Sequence, residues 1–163
     1  MWKWKVERVE KPHRRLEVWQ KSIEFATEIY GVTSGFPADE RFGLISQMRR
    51  AAVSIPSNLS EGAARGTVEF AQFIRIAIGS TSELDTQLEI CHRLSYLSSD
   101  RYTALDTKLA TIDRMLIGLR KVLLQKQKTL PHPSHLTPLT SPLSPHLHAH
   151  RLGTRLLLPS TSG

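Results

Sequence analysis

The sequence predicts an all-α protein, an up-down-up-down antiparallel four-helix bundle over residues 16–126. Four segments repeat apolar residues at alternating spacings of three and four, which gives each helix one apolar stripe. Patterns typical of strands are absent, and the connections between the segments are short. Because short loops favour antiparallel neighbours, four packed helices are the simplest arrangement that buries all four stripes.

The first two segments have clear limits. The first carries its stripe at Leu16, Trp19, Ile23, Ala26 and Tyr30. It is ended by Gly31, Gly35 and Pro37. The second carries its stripe at Ile45, Met48, Ala52, Ile55 and Leu59. Pro56 lies inside this stretch and removes a helix hydrogen bond, so we expect a kink or break near residues 53–55, with Gly62 and Gly66 bounding the next loop.

The third and fourth segments are longer. The third carries its stripe at Phe70, Ile74, Ala77, Thr81, Leu84, Leu88 and Cys91. The fourth carries its stripe at Tyr102, Leu105, Leu109, Ile112, Leu116, Leu119 and Leu123. Ile76, Ile90 and Leu94 fall outside the third stripe and give that helix a second apolar face. Such a face indicates an interface between subunits, or a helix that is central within one bundle.

The flanking segments differ from the bundle in composition. Residues 1–15 form a basic N-terminal arm, and residues 127–163 form a tail rich in Pro, His, Ser and Thr. Proline blocks helices, so we expect the tail to be disordered. The N-terminus lacks the apolar core of a signal peptide, and no run approaches the ~20 apolar residues of a membrane span. With the single cysteine, Cys91, interpreted as a buried hydrophobe, we predict a cytoplasmic protein without membrane contact.

The net charge of +7 is unevenly distributed. Residues 1–15 carry +4, residues 16–128 carry +1 and residues 129–163 carry +2. A basic excess indicates an acidic partner, most often a nucleic acid. Since the predicted bundle is nearly neutral, such contact needs a local basic cluster, repetition of charge in an oligomer, or the tails.

No pattern indicates catalysis. Nucleophile motifs and a Gly-rich phosphate loop are absent from the sequence. Glu89 and His92 form Glu-x-x-His, but the second such pair, Glu10 and His13, precedes the first helix, so a di-iron ligand set cannot be completed. The simpler interpretation pairs Glu89 with Arg93, one turn further along. We predict no enzyme, no metal site, no cofactor and no small-molecule substrate.

Several basic residues are expected on the outer faces of the helices. Arg75 and Arg93 are 18 residues apart, so they project from the same side of the third helix. The outward-facing set comprises Arg50, Arg75, Arg93, Arg114 and Lys121, with Arg49 flanking it. Guanidinium groups donate two hydrogen bonds to a phosphate, which suits nucleic-acid binding. The alternative interpretation is an ordinary solvated surface with weak ion pairs.

The segment at residues 47–66, QMRRAAVSIPSNLSEGAARG, is more specific than a generic helix. It contains in order RRAA from Arg49, SIPSN from Ser54, and Glu61 followed by Gly62. Together with LEVWQKS before it and EFAQFIRIAIGSTSELDTQLEI after it, this segment resembles the bacterial four-helix-bundle family that includes proteins encoded within intervening sequences of 23S rRNA genes. The resemblance covers about residues 16–124.

The resemblance implies a homo-oligomer, typically a pentameric ring. It also extends to a related branch, the accessory variability determinant of diversity-generating retroelements, which forms a basic ring that binds a reverse transcriptase and nucleic acid. By analogy, Arg49, Arg50 and Arg65 are the first expected contacts with a polyanion or a second subunit. The residues Ser54, Ser57 and Asn58 have another explanation, because their side chains can satisfy backbone groups that Pro56 leaves unpaired.

From these features we predict a non-enzymatic, homo-oligomeric adaptor that binds RNA or DNA. It is expected to be accessory to a reverse transcriptase or linked to 23S rRNA intervening sequences. The alternative is a protein-interaction scaffold without nucleic-acid binding, which the nearly neutral bundle and the second apolar face of the third helix favour.

Overall fold

The computed structural model describes residues 11–129, which fold into four α-helices within one compact unit. The helices are α1 (Glu17–Thr33), α2 (Leu44–Arg65), α3 (Thr67–Arg93) and α4 (Ser99–Thr129). Short 3₁₀ helices at Pro12–Arg15 and Ala38–Arg41 precede α1 and α2, and no strand occurs in these residues. The prediction of an all-α four-helix bundle is therefore confirmed.

Contacts between helices join the start of one helix to the end of the next. The indole N–H of Trp19, early in α1, donates to the hydroxyl of Ser60, late in α2, at 2.8 Å. The amide of Gln127, at the end of α4, donates to the Thr67 carbonyl at the start of α3 at 3.2 Å. Only Gly66 separates α2 from α3, so the chain reverses direction there within one residue.

The predicted stripe of α1 is buried at Ala26 and packs against the core at Leu16 and Trp19, but it is wrong at Ile23 and Tyr30. Ile23 and Tyr30 are 40% and 46% exposed, whereas Phe25 and Ile29 are 2% and 0% exposed. The buried face of α1 comprises Val18, Ser22, Phe25, Ala26, Ile29 and Thr33. Two of these are polar, and their hydroxyls donate to carbonyls of the same helix. Because such hydroxyls are already paired, Ser and Thr are tolerated in the core, and the apolar pattern alone could not reveal this face.

Helix α2 runs without interruption through Pro56, so the chain does not break near residues 53–55, and the kink expected near Pro56 stays a prediction. Asn58 Nδ2 donates to the Ser54 carbonyl at 2.8 Å and to the Ser54 hydroxyl at 3.0 Å. Pro56 leaves the carbonyl of Ala52 without its helix partner, and neither bond reaches that carbonyl, so the predicted role of these polar side chains stays a prediction. Gly62 lies inside the helix and is buried, so it does not bound a loop.

The stripes predicted for α2, α3 and α4 form most of the core. Met48, Ile55, Leu84, Leu105 and Leu116 are each 0% exposed. Helix α4 continues to Thr129, three residues beyond the predicted end of the bundle. The remainder of the predicted tail, and residues 1–10 of the predicted N-terminal arm, lie outside the described residues.

None of the helices between residues 11 and 129 combines the length and apolar character that a membrane span requires.

Candidate nucleic-acid interface

The fold separates charge along the axis of the bundle. Hydrogen bonds from Ser80 to Ser54 (2.9 Å) and from Thr81 to Asp113 (2.6 Å) mark its middle. One half comprises residues 11–26, 55–80 and 114–129, and the other comprises residues 27–54 and 81–113. The first contains eleven basic and four acidic residues, a net charge of +7. The second contains six basic and nine acidic residues, a net charge of −3. We call them the basic half and the acidic half.

The C-terminal half of α4 contributes most to the basic half. It contains five basic residues and no acidic residue after Asp113. Arg114, Lys121 and Lys128 recur every seven residues, so they share one exposed face and are spaced about 10 Å apart along the axis. Lys121 and Lys128 make no ion pair or hydrogen bond with any described residue. We call these three residues the α4 basic stripe.

Four of the seven basic residues predicted from the sequence lie in the basic half. They are Arg65, Arg75, Arg114 and Lys121. Arg65 pairs with Glu61 at 2.6 Å and lies over the Phe73 ring, 5.1 Å from its centroid. Lys128 was not among the residues predicted from the sequence. The signal that could have found it is the run from residue 114 to 129, which has no acidic residue.

The other three predicted residues, Arg49, Arg50 and Arg93, lie in the acidic half. Arg49 Nε donates to the Thr33 hydroxyl at 2.8 Å, and its guanidinium lies 4.7 Å from the centroid of the Tyr30 ring. This side chain therefore fastens the start of α2 to the end of α1. Arg50 is exposed, and its side chain makes no hydrogen bond, ion pair or ring contact with a described residue.

Arg93 is held by the carboxylate predicted as its partner. Its Nε donates to Glu89 Oε1 at 2.6 Å. That hydrogen bond, with a second one from Tyr102, lowers the pKa of Glu89. His92 stacks on Tyr102 with ring centroids 4.5 Å apart. Glu89 is thus engaged with its neighbours, and no cluster of three metal-ligating side chains occurs between residues 11 and 129.

The single cysteine, Cys91, has a buried and unreactive thiol. Cys91 is 0% exposed, and its Sγ lies 3.5 Å from Met48 Sδ. Burial raises the pKa of Cys91 to about 11, so the thiol is protonated at neutral pH. Since the thiolate is the reactive form, this cysteine is inert while the protein is folded.

The second apolar face of α3 is exposed in the single chain. Ile76, Ile90 and Leu94 are 50%, 41% and 49% exposed. Their spacing places all three within about 40° on one side of the helix, where the exposed Glu83 lies between Ile76 and Ile90. The apolar surface is therefore concentrated at Ile90 and Leu94. Among residues 11–129 these side chains are only partly covered, so the interface between subunits predicted from them stays a prediction.

Comparisons with known proteins agree with the fold. The chain matches the family model described as 23S rRNA-intervening sequence protein over residues 14–118. It is also similar to the crystal structure of a protein with unknown function from the S23 ribosomal protein family of Bacteroides thetaiotaomicron. That similarity has a TM-score of 0.60 and 25% sequence identity, and it covers 64% of this chain and 95% of the other. No curated protein matches the chain.

The finer resemblance, to the accessory variability determinant with its reverse transcriptase partner, stays a prediction. The family model covers α1, α2, α3 and most of α4. It includes the segment at residues 47–66 on which the sequence resemblance rests. The chain belongs to the 23S rRNA-intervening sequence protein family.

Proposed function

We propose that the protein is a non-enzymatic, homo-oligomeric adaptor that binds RNA or DNA through its basic half. The observation that carries this proposal is the separation of charge into +7 and −3 within one folded unit. A polyanion is attracted to the first half and repelled by the second, so the bundle has a preferred side for a phosphate backbone. The family name refers to 23S rRNA, which makes RNA the first probe to test.

The α4 basic stripe supplies the simplest contact surface. Arg114 to Lys128 spans about 21 Å along the helix, which corresponds to about six base pairs of a duplex. Lysine and arginine side chains that meet phosphates fix position without reading bases. We therefore expect binding that is weakly dependent on sequence and strongly dependent on salt.

The test is fluorescence anisotropy with a labelled single-stranded RNA and a labelled duplex DNA. Lys121→Glu combined with Lys128→Glu is expected to weaken binding about 10- to 100-fold at low salt, because phosphate contacts become repulsive. The salt dependence should also become shallower by about one unit of log K against log salt for each lost contact. Neither residue is buried, so the fold should be retained.

The matched control is Arg41→Glu combined with Arg50→Glu. It changes the net charge equally but acts on exposed residues of the acidic half. The proposal predicts little change in affinity for this control. An equal loss in both double variants would indicate only an effect of net charge. Wild-type protein that binds neither probe at low salt would favour the alternative, a protein-interaction scaffold, for which the exposed apolar face of α3 is the specific support.

The oligomeric part of the proposal rests on that apolar face. Ile90→Glu is expected to shift the sedimentation mass from an oligomer, with a pentamer as the size implied by the resemblance, towards the monomer. A charge placed in a desolvated interface has no partner, which makes association costly. Ile117→Glu, at a residue 51% exposed on α4, is the control and should leave the mass unchanged. A wild-type monomer at all concentrations would remove the oligomer from the proposal.

A further inference from the structure

An apolar groove runs between α1 and α2 on the outside of the bundle. It has a volume of about 490 Å³ and is lined by Trp19, Ile23, Ala26, Thr27, Tyr30, Val53, Pro56, Ser57 and Ser60. Ile23, Tyr30 and Val53 are each 40–46% exposed. Ile23 and Tyr30 belong to the stripe of α1 that the sequence pattern assigns to the core, and the folded bundle leaves both partly open to solvent, as it does Val53 of α2.

The polar atoms beside the groove are largely occupied. The Trp19 indole N–H is taken by the Ser60 hydroxyl, which itself donates to the Pro56 carbonyl at 2.9 Å. The Thr27 hydroxyl donates to the Ile23 carbonyl at 2.9 Å. The surface that remains is mainly hydrocarbon and aromatic ring, so covering it with apolar side chains is favourable.

We propose that the N-terminal segment of the chain, residues 1–10, docks in this groove. The described chain starts next to the groove, since the rings of His13 and Trp19 lie 5.0 Å apart. The segment preceding it reads MWKWKVERVE. Its residues alternate in character, with Trp2, Trp4 and Val6 separated by charged residues. In an extended conformation the three apolar side chains share one face and the charges point away.

The dimensions of the segment and the groove agree. Trp19 and Tyr30 are eleven residues apart on α1, so the groove is about 16 Å long. Ten residues can span up to about 33 Å, which is enough to turn back from Lys11 and follow the whole groove. Trp2 to Val6 extends about 13 Å, close to the length of apolar surface available.

Covalent attachment to the bundle favours residues 1–10 over a second molecule as the occupant of the groove. A flexible linker holds a ligand near its site at an effective concentration in the millimolar range. Two tryptophan side chains bury about 150–250 Å² each, which is large for so short a segment. The proposal is independent of nucleic-acid binding, because the α4 basic stripe lies on another helix.

Thiol labelling tests the proposal directly, because Cys91 is buried and protonated and does not interfere. Val53→Cys places one accessible thiol in the groove. In the full-length chain we expect a thiol-specific maleimide to label it about tenfold more slowly than in the same chain carrying Trp2→Ala and Trp4→Ala, because a docked segment must open first. Circular dichroism of both chains verifies that each is folded.

The control is Ile117→Cys, on the exposed surface of α4, which should label at the same rate with or without Trp2 and Trp4. Equal labelling rates at residue 53 in the two chains would overturn the proposal. Protection that depends on protein concentration would overturn it as well, and would assign the groove to a second copy. Protection that survives the tryptophan substitutions but is lost when the chain ends at residue 129 would assign the groove to the C-terminal tail instead.

Discussion

Ile29→Ala is expected to lower the free energy of unfolding by about 3 kcal/mol, within the range of about 2–5 kcal/mol for truncating a fully buried isoleucine. Ile29 is 0% exposed on α1 and belongs to the main hydrophobic cluster. The loss combines the transfer free energy of the removed carbons with the cavity that the bundle cannot close. Denaturant unfolding monitored by circular dichroism measures it as a lower midpoint at unchanged slope.

Ile23→Ala is the matched control on the same helix. Ile23 is 40% exposed, so its truncation should cost less than about 1 kcal/mol. Both substitutions exchange isoleucine for alanine in a helix and gain the same helix propensity. The difference between them therefore isolates burial. Equal losses would mean that the stripe predicted from the sequence, and not the face seen in the structure, is the one that packs.

Gly62→Ala is expected to destabilise the protein by about 1–3 kcal/mol, as overpacking of a tight core does. A Cβ at residue 62 would lie 2.7 Å from Phe73 Cβ and 3.3 Å from Phe70 Cα. The latter is a backbone atom of α3, so the clash can be relieved only by moving α2 and α3 apart. In an open helix the same substitution would be favourable by about 1 kcal/mol, but here the steric cost exceeds that gain.

Gly79→Ala serves as the control, because its expected effect on stability has the opposite sign to that of Gly62→Ala. Gly79 is in the interior of α3, and apart from its chain neighbours and the nearby backbone of its own helix no atom lies within 4 Å of a Cβ built there. The substitution should therefore stabilise the protein by about 0.5–1 kcal/mol through reduced backbone entropy of the unfolded chain. A stabilising Gly62→Ala in the same thermal or denaturant assay would show that α2 and α3 do not approach as closely as the structure indicates.

Much of the fold could be predicted because α2, α3 and α4 place strongly apolar residues at regular helical spacing. Met48, Leu84 and Leu105 are buried where the stripes put them. The prediction failed on α1, where Ser22 and Thr33 occupy core positions and Ile23 does not. The apolar pattern of a sequence distinguishes polar from apolar side chains, but it does not show which polar side chains can be buried. A hydroxyl can be buried when it donates to a carbonyl of its own helix, as those of Ser22 and Thr33 do.

The candidate nucleic-acid interface could be predicted only in part from the sequence. Four of the predicted basic residues lie in the basic half, namely Arg65, Arg75, Arg114 and Lys121, whereas Arg49, Arg50 and Arg93 lie in the acidic half. Lys128, which belongs to the α4 basic stripe, was not among the predicted residues. The net charge summed along the predicted bundle is close to zero, because basic and acidic segments that fold to opposite ends of it cancel in the sum.

The sequence by itself determined that this protein is helical, how many helices it has and to which family it belongs, because helical periodicity and the motif at residues 47–66 are local properties of the chain. Only the tertiary structure decided which face of α1 is buried and where the charges gather. Packing of the helices brings Gln127 beside Thr67, Leu123 beside Pro12, and Trp19 beside Ser60. The field that a nucleic acid would meet depends on this proximity in space, which the order of residues along the chain does not reveal.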